Sequence, residues 1–531
     1  MSLDLNEYLE NLLLELGGLG RFQFVLTLIV YGSKATIAWS TLMMSFGGAI
    51  PDWTCTLKTD LGNEYISNSS FINKCSFKNN SEDFHCDSKA YDTSMSTIVS
   101  EWNLVCDREW IISTITTIQM GGLLIGAFIS GQVGDVFGRK PAYYASIIIL
   151  LIFNVIAAFS VSWQMFAALR FLIGMGCGWY LTIDVTYMAE FTPAKYRSFI
   201  LALPMWPLGT VTFALFSWLL HDWKYIQIAS AIFCVPWFIG VCIIPESYRW
   251  LVSVNRIDDA HDVIKKIGKM NRRPVLKKEE LCKVVKSSNR IEKGRKRTFI
   301  DVFRNRYLFR TTVLLGICWI TCGYGFYAIS FGVQQLSGNI YLNIALLGMM
   351  EAVQLIVAYA TNRFGRKWTT LVFFVLGGLT GLAVGVLQFL DIPEKGRWIN
   401  GFALTSKLCV SCGWMALIIF TSELYPTVVR NVGYGINNTV SRIGSMVAPQ
   451  LVYASKNIPG LMYLLLGGLL LLSAACVLLL TETNNLALKD TIEEIVEKPH
   501  RVEKKSESNH TDEYSEEISN TFTKDEINTH I

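Results

Sequence analysis

The sequence predicts an all-α membrane protein of twelve membrane-spanning helices arranged in two six-helix halves. Three observations carry that reading. Hydrophobic residues make up 51% of the 531 and charged residues only 17%, with a mean hydropathy of +0.35, whereas soluble domains average about 25% charge. Apolar runs recur from Phe22 to Leu480 with little polar sequence between most of them. The loop chemistry of the first half returns in the second, in order. The net charge of +4, from 47 basic and 43 acidic residues, is too small at this length to suggest a nucleic-acid partner.

A membrane helix needs about 20 mostly apolar residues, because the hydrocarbon must be crossed with every backbone amide satisfied internally. Residues 1–21 hold Asp4, Glu7, Glu10 and Glu15 where a cleaved leader would be basic, so they read as a cytoplasmic N-terminus followed by a retained anchor. Runs in the N-terminal half, 22–245, begin near Phe22, Ile111, Tyr143, Trp163, Phe199 and Ile226. Those in the C-terminal half, 310–483, begin near Thr311, Ile340, Trp368, Ile399, Val432 and Leu461. The polar, acidic stretch 484–531 reads as a disordered cytoplasmic tail.

Loop charge sets the orientation. From Glu246 to Arg306 there are 18 basic and 8 acidic residues, so the segment 246–309 is expected in the cytoplasm by the positive-inside rule. Ile257, Ala260, Val263, Ile264 and Ile267 fall on helical spacing within it, predicting an amphipathic helix against the bundle or anionic lipid. From Pro51 to Trp110 there are 5 basic and 10 acidic residues, and five helices intervene, which places the loop 51–110 outside. That loop holds Cys55, Cys75, Cys86 and Cys106, predicting two disulfides of open connectivity, and glycosylation sequons at Asn68 and Asn79. Cys409 and Cys412 sit in an apolar run without a second pair and read as buried thiols.

Three pairs of segments repeat. Gly131 to Lys140 (Gly-Gln-Val-Gly-Asp-Val-Phe-Gly-Arg-Lys) matches Ala358 to Lys367 at an offset of 227. Glu190 to Arg197 matches Glu423 to Arg430 at 233, and Pro245-Glu246-Ser247 matches Thr481-Glu482-Thr483 at 236. Near-constant offsets mean two homologous halves joined by the basic segment. In these loops Gly138 and Gly365 permit a tight turn. Asp135, Glu190 and Glu423 are placed to pair with Arg139, Arg197 or Arg430, and together with Lys140 and Arg366 they form a candidate cytoplasmic gate. Asn362 replaces the acid in the second half and implies a weaker latch there.

These repeated loops resemble the major facilitator superfamily. Gly17 to Gln23 (Gly-Gly-Leu-Gly-Arg-Phe-Gln), Glu101 to Asp107 (Glu-Trp-Asn-Leu-Val-Cys-Asp), Pro245 to Leu251 (Pro-Glu-Ser-Tyr-Arg-Trp-Leu) and Glu423 to Asn431 together resemble the solute carrier 22 family of organic cation, anion and zwitterion transporters. The Cys-rich first outer loop is that family's habit too. The resemblance runs from about Gly17 to Thr483, with Tyr248 standing where the family usually has proline. It implies a multi-pass plasma-membrane carrier of small organic ions, secondary or facilitative, working by alternating access with a coupling ion or an exchanged anion. Gln334 to Gly338 resembles sugar porters, so a sugar or polyol porter is the second reading, and a non-transporting sensor on the same fold the third.

Charges inside membrane helices mark candidate sites, since one near the bilayer centre costs about 3 kcal/mol on insertion scales. Lys34, Asp184, Glu351 and Arg442 are the candidates for substrate contact, joined by Gln354 and by Tyr324, Tyr327 and Phe331 of the ring-rich seventh run. Trp179, Tyr180 and Trp206 extend that set. Arg170 and Lys407 are expected to reach the surface or to pair helices, with ligand contact as the alternative. A guanidinium stays charged, so Arg442 needs a carboxylate, carbonyls or an anionic ligand. Its position resembles the arginine of the family's anion and zwitterion branches, which slightly favours those substrates over cations; Asp184 and Glu351 could instead neutralise it or take an ammonium. The chain lacks a Gly-x-x-x-x-Gly-Lys-[Ser/Thr] loop, and its six histidines show no metal-ligand spacing, so neither a nucleotide-driven pump nor an enzyme is expected, and no cofactor or metal is called for.

Overall fold

The computed structural model describes residues 5–59, 62–65, 75–79, 82–85, 88–274, 278–291, 303–426 and 429–483. Asn68, Cys86 and the tail 484–531 lie outside them. Among the described residues, ten helices are long and apolar enough to cross a membrane. In chain order these are the first (Arg21–Gly47), second (Trp110–Phe137), third (Arg139–Ala158), fourth (Trp163–Phe191), sixth (Trp223–Ile243), seventh (Arg306–Phe331), eighth (Ile340–Phe364), ninth (Arg366–Leu387), tenth (Lys395–Leu424) and twelfth (Leu461–Leu478) spans. The fifth (Met205–Leu220) is shorter, and the eleventh (Arg430–Ala454) is polar along one face, which completes the twelve.

Two boundaries differ from expectation. The fifth run does not begin at Phe199: Ala194–Leu201 is a separate helix, and the span restarts at Met205 because Pro204 has no amide to continue the ladder. The outer loop also departs from all-α. Trp53–Thr59 pairs antiparallel with Gly62–Tyr65 and Ser88–Tyr91, and Ser76–Asn79 pairs with Glu82–His85. Cys75 and Cys106 form one disulfide, tying this loop to the entrance of the second span. The second expected bridge needs Cys86, outside the described residues.

Regular helices pack closely where side chains vanish. A Cβ on Gly174 would run into the Gln119 carbonyl and one on Gly178 into that of Leu123, so the fourth span lies directly against the second. Other spans are interrupted where they approach the centre. The first contains a π-helical turn over Thr27–Tyr31, and the eighth breaks at Val353. Such breaks free polar groups only where protein or a cavity can satisfy them.

The repeat is visible atom by atom. Glu246 accepts from the Arg139 and Lys140 amides at 2.9 and 3.2 Å, and Glu482 accepts from those of Arg366 and Lys367 at 3.0 and 3.2 Å. Arg139 Nε donates to Glu190 at 3.0 Å and Arg366 Nε to Glu423 at 2.9 Å. Gly138 (φ 103°) and Gly365 (φ 95°) precede the two arginines, and a Cβ on either would strike the capping glutamate. In the first half Arg139 also bonds Asp135 at 2.6 Å, and in the second Arg366 Nη1 donates to the Thr361 carbonyl at 3.3 Å.

On the face carrying the basic segment, Ile257–Asn271 buries Ala260, Val263, Ile264 and Ile267 and exposes Lys265, Lys266 and Lys269, as its periodicity predicts. A further helix, Leu5–Glu15, packs Leu9, Leu12 and Leu13 beneath the same face. Its Glu10 holds Arg249 at 2.7 Å and Arg197 at 3.8 Å. Arg197 was expected to pair with an acid of the repeated loops, and it is the N-terminal helix that supplies its partner.

Candidate functional site

A cavity of about 660 Å³ lies between the halves. It begins among Tyr31, Lys34, Tyr327, Glu351 and Arg442 and reaches Arg139, Asp135 and Arg249 on the basic face, where the Asp135 side chain is 72% exposed. The opposite, disulfide-loop face is closed by contacts that cross between halves. Lys456 pairs with Glu109 at 2.8 Å, Gln334 donates to the Gly48 carbonyl at 3.0 Å, and Gln450 donates to Thr117 at 3.1 Å. The molecule is therefore open on one face and shut on the other.

Two buried ion pairs flank the cavity in opposite senses. In the first half, Lys34 faces the cavity and Asp184, 0% exposed, stands behind it at 3.3 Å. In the second, Glu351 faces the cavity, and Lys407 stands behind at 2.8 Å, donating also to the Phe326 carbonyl and to Ser330. Lys407 thus pairs helices and does not reach the surface. Arg170 is likewise internal, bonded to Gln119 at 2.7 Å and to the Ser40 carbonyl at 2.9 Å.

Arg442 is different. The two acids buried in the spans beside it, Asp184 and Glu351, are already matched by lysines, and among the described residues no carboxylate lies within ion-pair distance of its guanidinium. Its polar neighbours are Asn438, at 3.5 Å from Nη2, and the Tyr327 hydroxyl, while its Nε has no partner. The indole N–H groups of Trp414, in the same half, and of Trp206, in the other, are also unpartnered. Three buried donors without an acceptor thus belong to side chains that line one cavity.

Of the residues expected at the site, Lys34, Glu351, Gln354, Tyr327, Trp206 and Arg442 line this cavity. Tyr324 does not: its ring turns away and its hydroxyl donates to the Met462 carbonyl of the twelfth span. Phe331 lies a turn beyond, stacked on Tyr327 and lining a small recess at the disulfide-loop face. Tyr180 is taken up by Ser33 and the Val30 carbonyl. Phe326 of the ring-rich seventh run also lines the cavity, and Trp319, Trp414, Tyr31 and Tyr434 line it without having been singled out. The seventh and tenth spans, which carry Trp319, Phe326 and Trp414, are apolar nearly all round and gave no periodicity from which to choose a face.

At the mouth, the described ion pairs of the expected gate stay within one half: Arg139 with Asp135 and Glu190, Arg366 with Glu423. Lys140 enters through its amide, and Arg430 reaches the Tyr425 carbonyl at 3.4 Å. Burial raises the Glu246 carboxyl above the ordinary glutamate range, opposed by the Ser247, Lys140 and Arg139 amides. Burial lowers the Arg197 guanidinium, opposed by Glu10.

The sequence profile of the "Sugar (and other) transporter" family matches residues 33–494. Solute carrier family 22 member 4 of Mus musculus is 32% identical over 76% of this chain and 73% of its own length. The chain belongs to the solute carrier 22 family. Solute carrier family 22 member 7 of Bos taurus is 31% identical over 76% of this solute carrier 22 chain and 74% of its own. The organic cation transporter-like protein of Drosophila melanogaster is 29% identical over 91% of each. Among solved structures, the inward open xylose transporter XylE from E. coli superposes with a TM-score of 0.64 over 88% of the chain and 98% of its own, at 16% identity, which shows the major facilitator fold. This solute carrier 22 protein is thus a multi-pass membrane transporter.

Proposed function

We propose that this transporter carries small organic anions or zwitterions across the plasma membrane, with the substrate carboxylate seated on Arg442. The observation that carries the reading is a buried guanidinium in the cavity wall with no carboxylate partner, in a site where both acids are already neutralised. A fixed positive charge without a counter-ion is stabilised most by an anionic ligand, and the fork of the guanidinium suits a carboxylate. Glu351 faces the same space, so an ammonium on the far end of a zwitterion has a place to go. The rings of Trp206, Trp319, Phe326 and Tyr434 would take an apolar body between the two.

With the basic face in the cytoplasm, the conformation is open inward and latched outside by Glu109 and Lys456. Transport by alternating access then requires the repeated loops, with Asp135, Arg139, Lys140, Glu190, Arg197, Arg366, Glu423 and Arg430, to approach across the mouth when the outer face opens. Asn68 and Asn79 would carry glycans outside.

The test is uptake of radiolabelled para-aminohippurate, carnitine and tetraethylammonium into cells expressing wild type or Arg442→Asp. Selective uptake of a carboxylate-bearing probe, abolished by the substitution, is expected. Uptake of tetraethylammonium alone, indifferent to Arg442→Asp, would overturn the assignment and move the site to Asp184 and Glu351.

A further inference from the structure

Lys34 and Lys407 are held differently. Lys407 is fixed by Glu351, the Phe326 carbonyl, Ser330 and the face of the Phe326 ring, all within 3.3 Å. Lys34 has Asp184 at 3.3 Å and the Tyr31 hydroxyl at 3.2 Å, and it borders the cavity. Of the two lysines it is the one that meets the cavity, and its contacts are the longer. Tyr434 lies within electrostatic reach of both Lys34 and Arg442, so the two positive groups flank one part of the cavity wall.

Asp184 depends on Lys34. Its Oδ1 accepts from the Val185 amide at 2.7 Å, and its Oδ2 has no hydrogen bond. From the first span it faces Tyr31 and Lys34, from the third Tyr143, from its own span Tyr180, and from the eleventh Tyr434 and Arg442. Of these only Lys34 is within ion-pair distance. Tyr143 and Tyr180 are bonded to Ser33 and to main-chain carbonyls, so their hydroxyls are committed elsewhere. If Lys34 turns to a substrate carboxylate, a fully buried carboxylate is left without a cation, which the interior tolerates only once the acid is neutral.

Resting on the anion reading above, we propose that Asp184 is a proton-binding site coupled to substrate: the bound carboxylate draws Lys34 away from Asp184, and one proton loads onto Asp184 in its place. The space Lys34 leaves connects Asp184 to cavity water, which delivers the proton from the side where substrate binds. When the carboxylate departs, Lys34 returns, and the proton leaves to the other side. One negative charge and one proton enter together, so the loaded and empty sites carry the same net charge. The transporter is then an organic anion and proton symporter.

The experiment uses the full chain in proteoliposomes, with membrane potential clamped by potassium and valinomycin and a pH dye trapped inside. Initial uptake of para-aminohippurate is read with and without an acid-outside gradient of about two pH units, after subtracting protein-free vesicles. Wild type is expected to respond about tenfold to the gradient and to acidify the lumen as substrate enters. In Asp184→Asn the ratio with and without gradient falls to about one. Should that variant misfold with Lys34 unpaired, the double variant Lys34→Met, Asp184→Asn removes both charges and is expected to show the same loss of gradient response. Wild-type uptake indifferent to the gradient, or gradient-driven uptake persisting in either variant, overturns the coupling while leaving the anion reading standing. Carnitine is read in the same way, and absence of uptake of both carboxylate probes by correctly inserted wild type, with and without the gradient, takes down the anion reading and the coupling together.

Discussion

A single side chain at the loop after the second span shows how much depends on one acceptor. Glu246, which follows the sixth span, accepts from two amides in the first turn of the third span, and it packs where a Cβ on Gly138 would sit. Glu246→Ala is expected to cost about 1–3 kcal/mol, seen as a lower melting temperature in detergent, with partial rescue by Glu246→Gln, which keeps one acceptor oxygen. Gly138→Ala forces φ 103° on an alanine and pushes against the same carboxylate, and a loss of about 1–3 kcal/mol is expected in the same assay. At Arg442 the geometry of the charge matters as well as its sign. Arg442→Lys keeps the charge but loses the fork, and a roughly tenfold rise in the KM of the carboxylate probe is expected, against abolition by Arg442→Asp.

Among the elements, the helix Leu5–Glu15 is the one the apolar-run reading passed over. Eleven residues cannot span a bilayer, yet Leu9, Leu12 and Leu13 make one apolar stripe, and Glu10 on another side meets Arg197 and Arg249. Leu12→Asp is expected to undock it at a local cost of about 2–4 kcal/mol, detected as faster hydrogen exchange over residues 5–15 without unfolding of the bundle. The eleventh span makes the converse point. Asn437, Asn438, Ser441, Arg442 and Ser445 on one helix leave it less apolar than any lipid-facing span would be, and that polarity is the signal that it lines the centre. Ring positions on uniformly apolar helices carry no such signal, which is why Tyr324 and Phe331 were expected at the site and Trp319 and Trp414 were not.

For the molecule as a whole, one face is shut by contacts that cross between halves and the other is held open. Glu109 and Lys456 are partly exposed, so their pair contributes about 0.5–1 kcal/mol, enough to shift a two-state balance by roughly two- to fivefold. Lys456→Glu is expected to raise the rate at which a membrane-impermeant thiol reagent, added on the disulfide-loop side, labels a cysteine placed at Thr182 in the cavity wall. The charge-swapped double variant Glu109→Lys, Lys456→Glu should restore slow labelling. Equal labelling of all three proteins would exclude this pair as part of the outer closure.

The sequence by itself determined what depends on solvent and chain chemistry: twelve spans from apolar length, two homologous halves from repeated loops, and which intramembrane charges need an explanation. Each follows from the cost of placing polar groups in hydrocarbon, a local property legible one helix at a time. The tertiary structure decided the pairings. Lys34 finds Asp184 and Lys407 finds Glu351 across helices far apart in sequence, and that matching leaves Arg442 without an acid among the described residues. The pairing also sets which member of each pair faces the cavity, lysine in one half and glutamate in the other, because helix rotation about its own axis is fixed by neighbours and not by hydropathy.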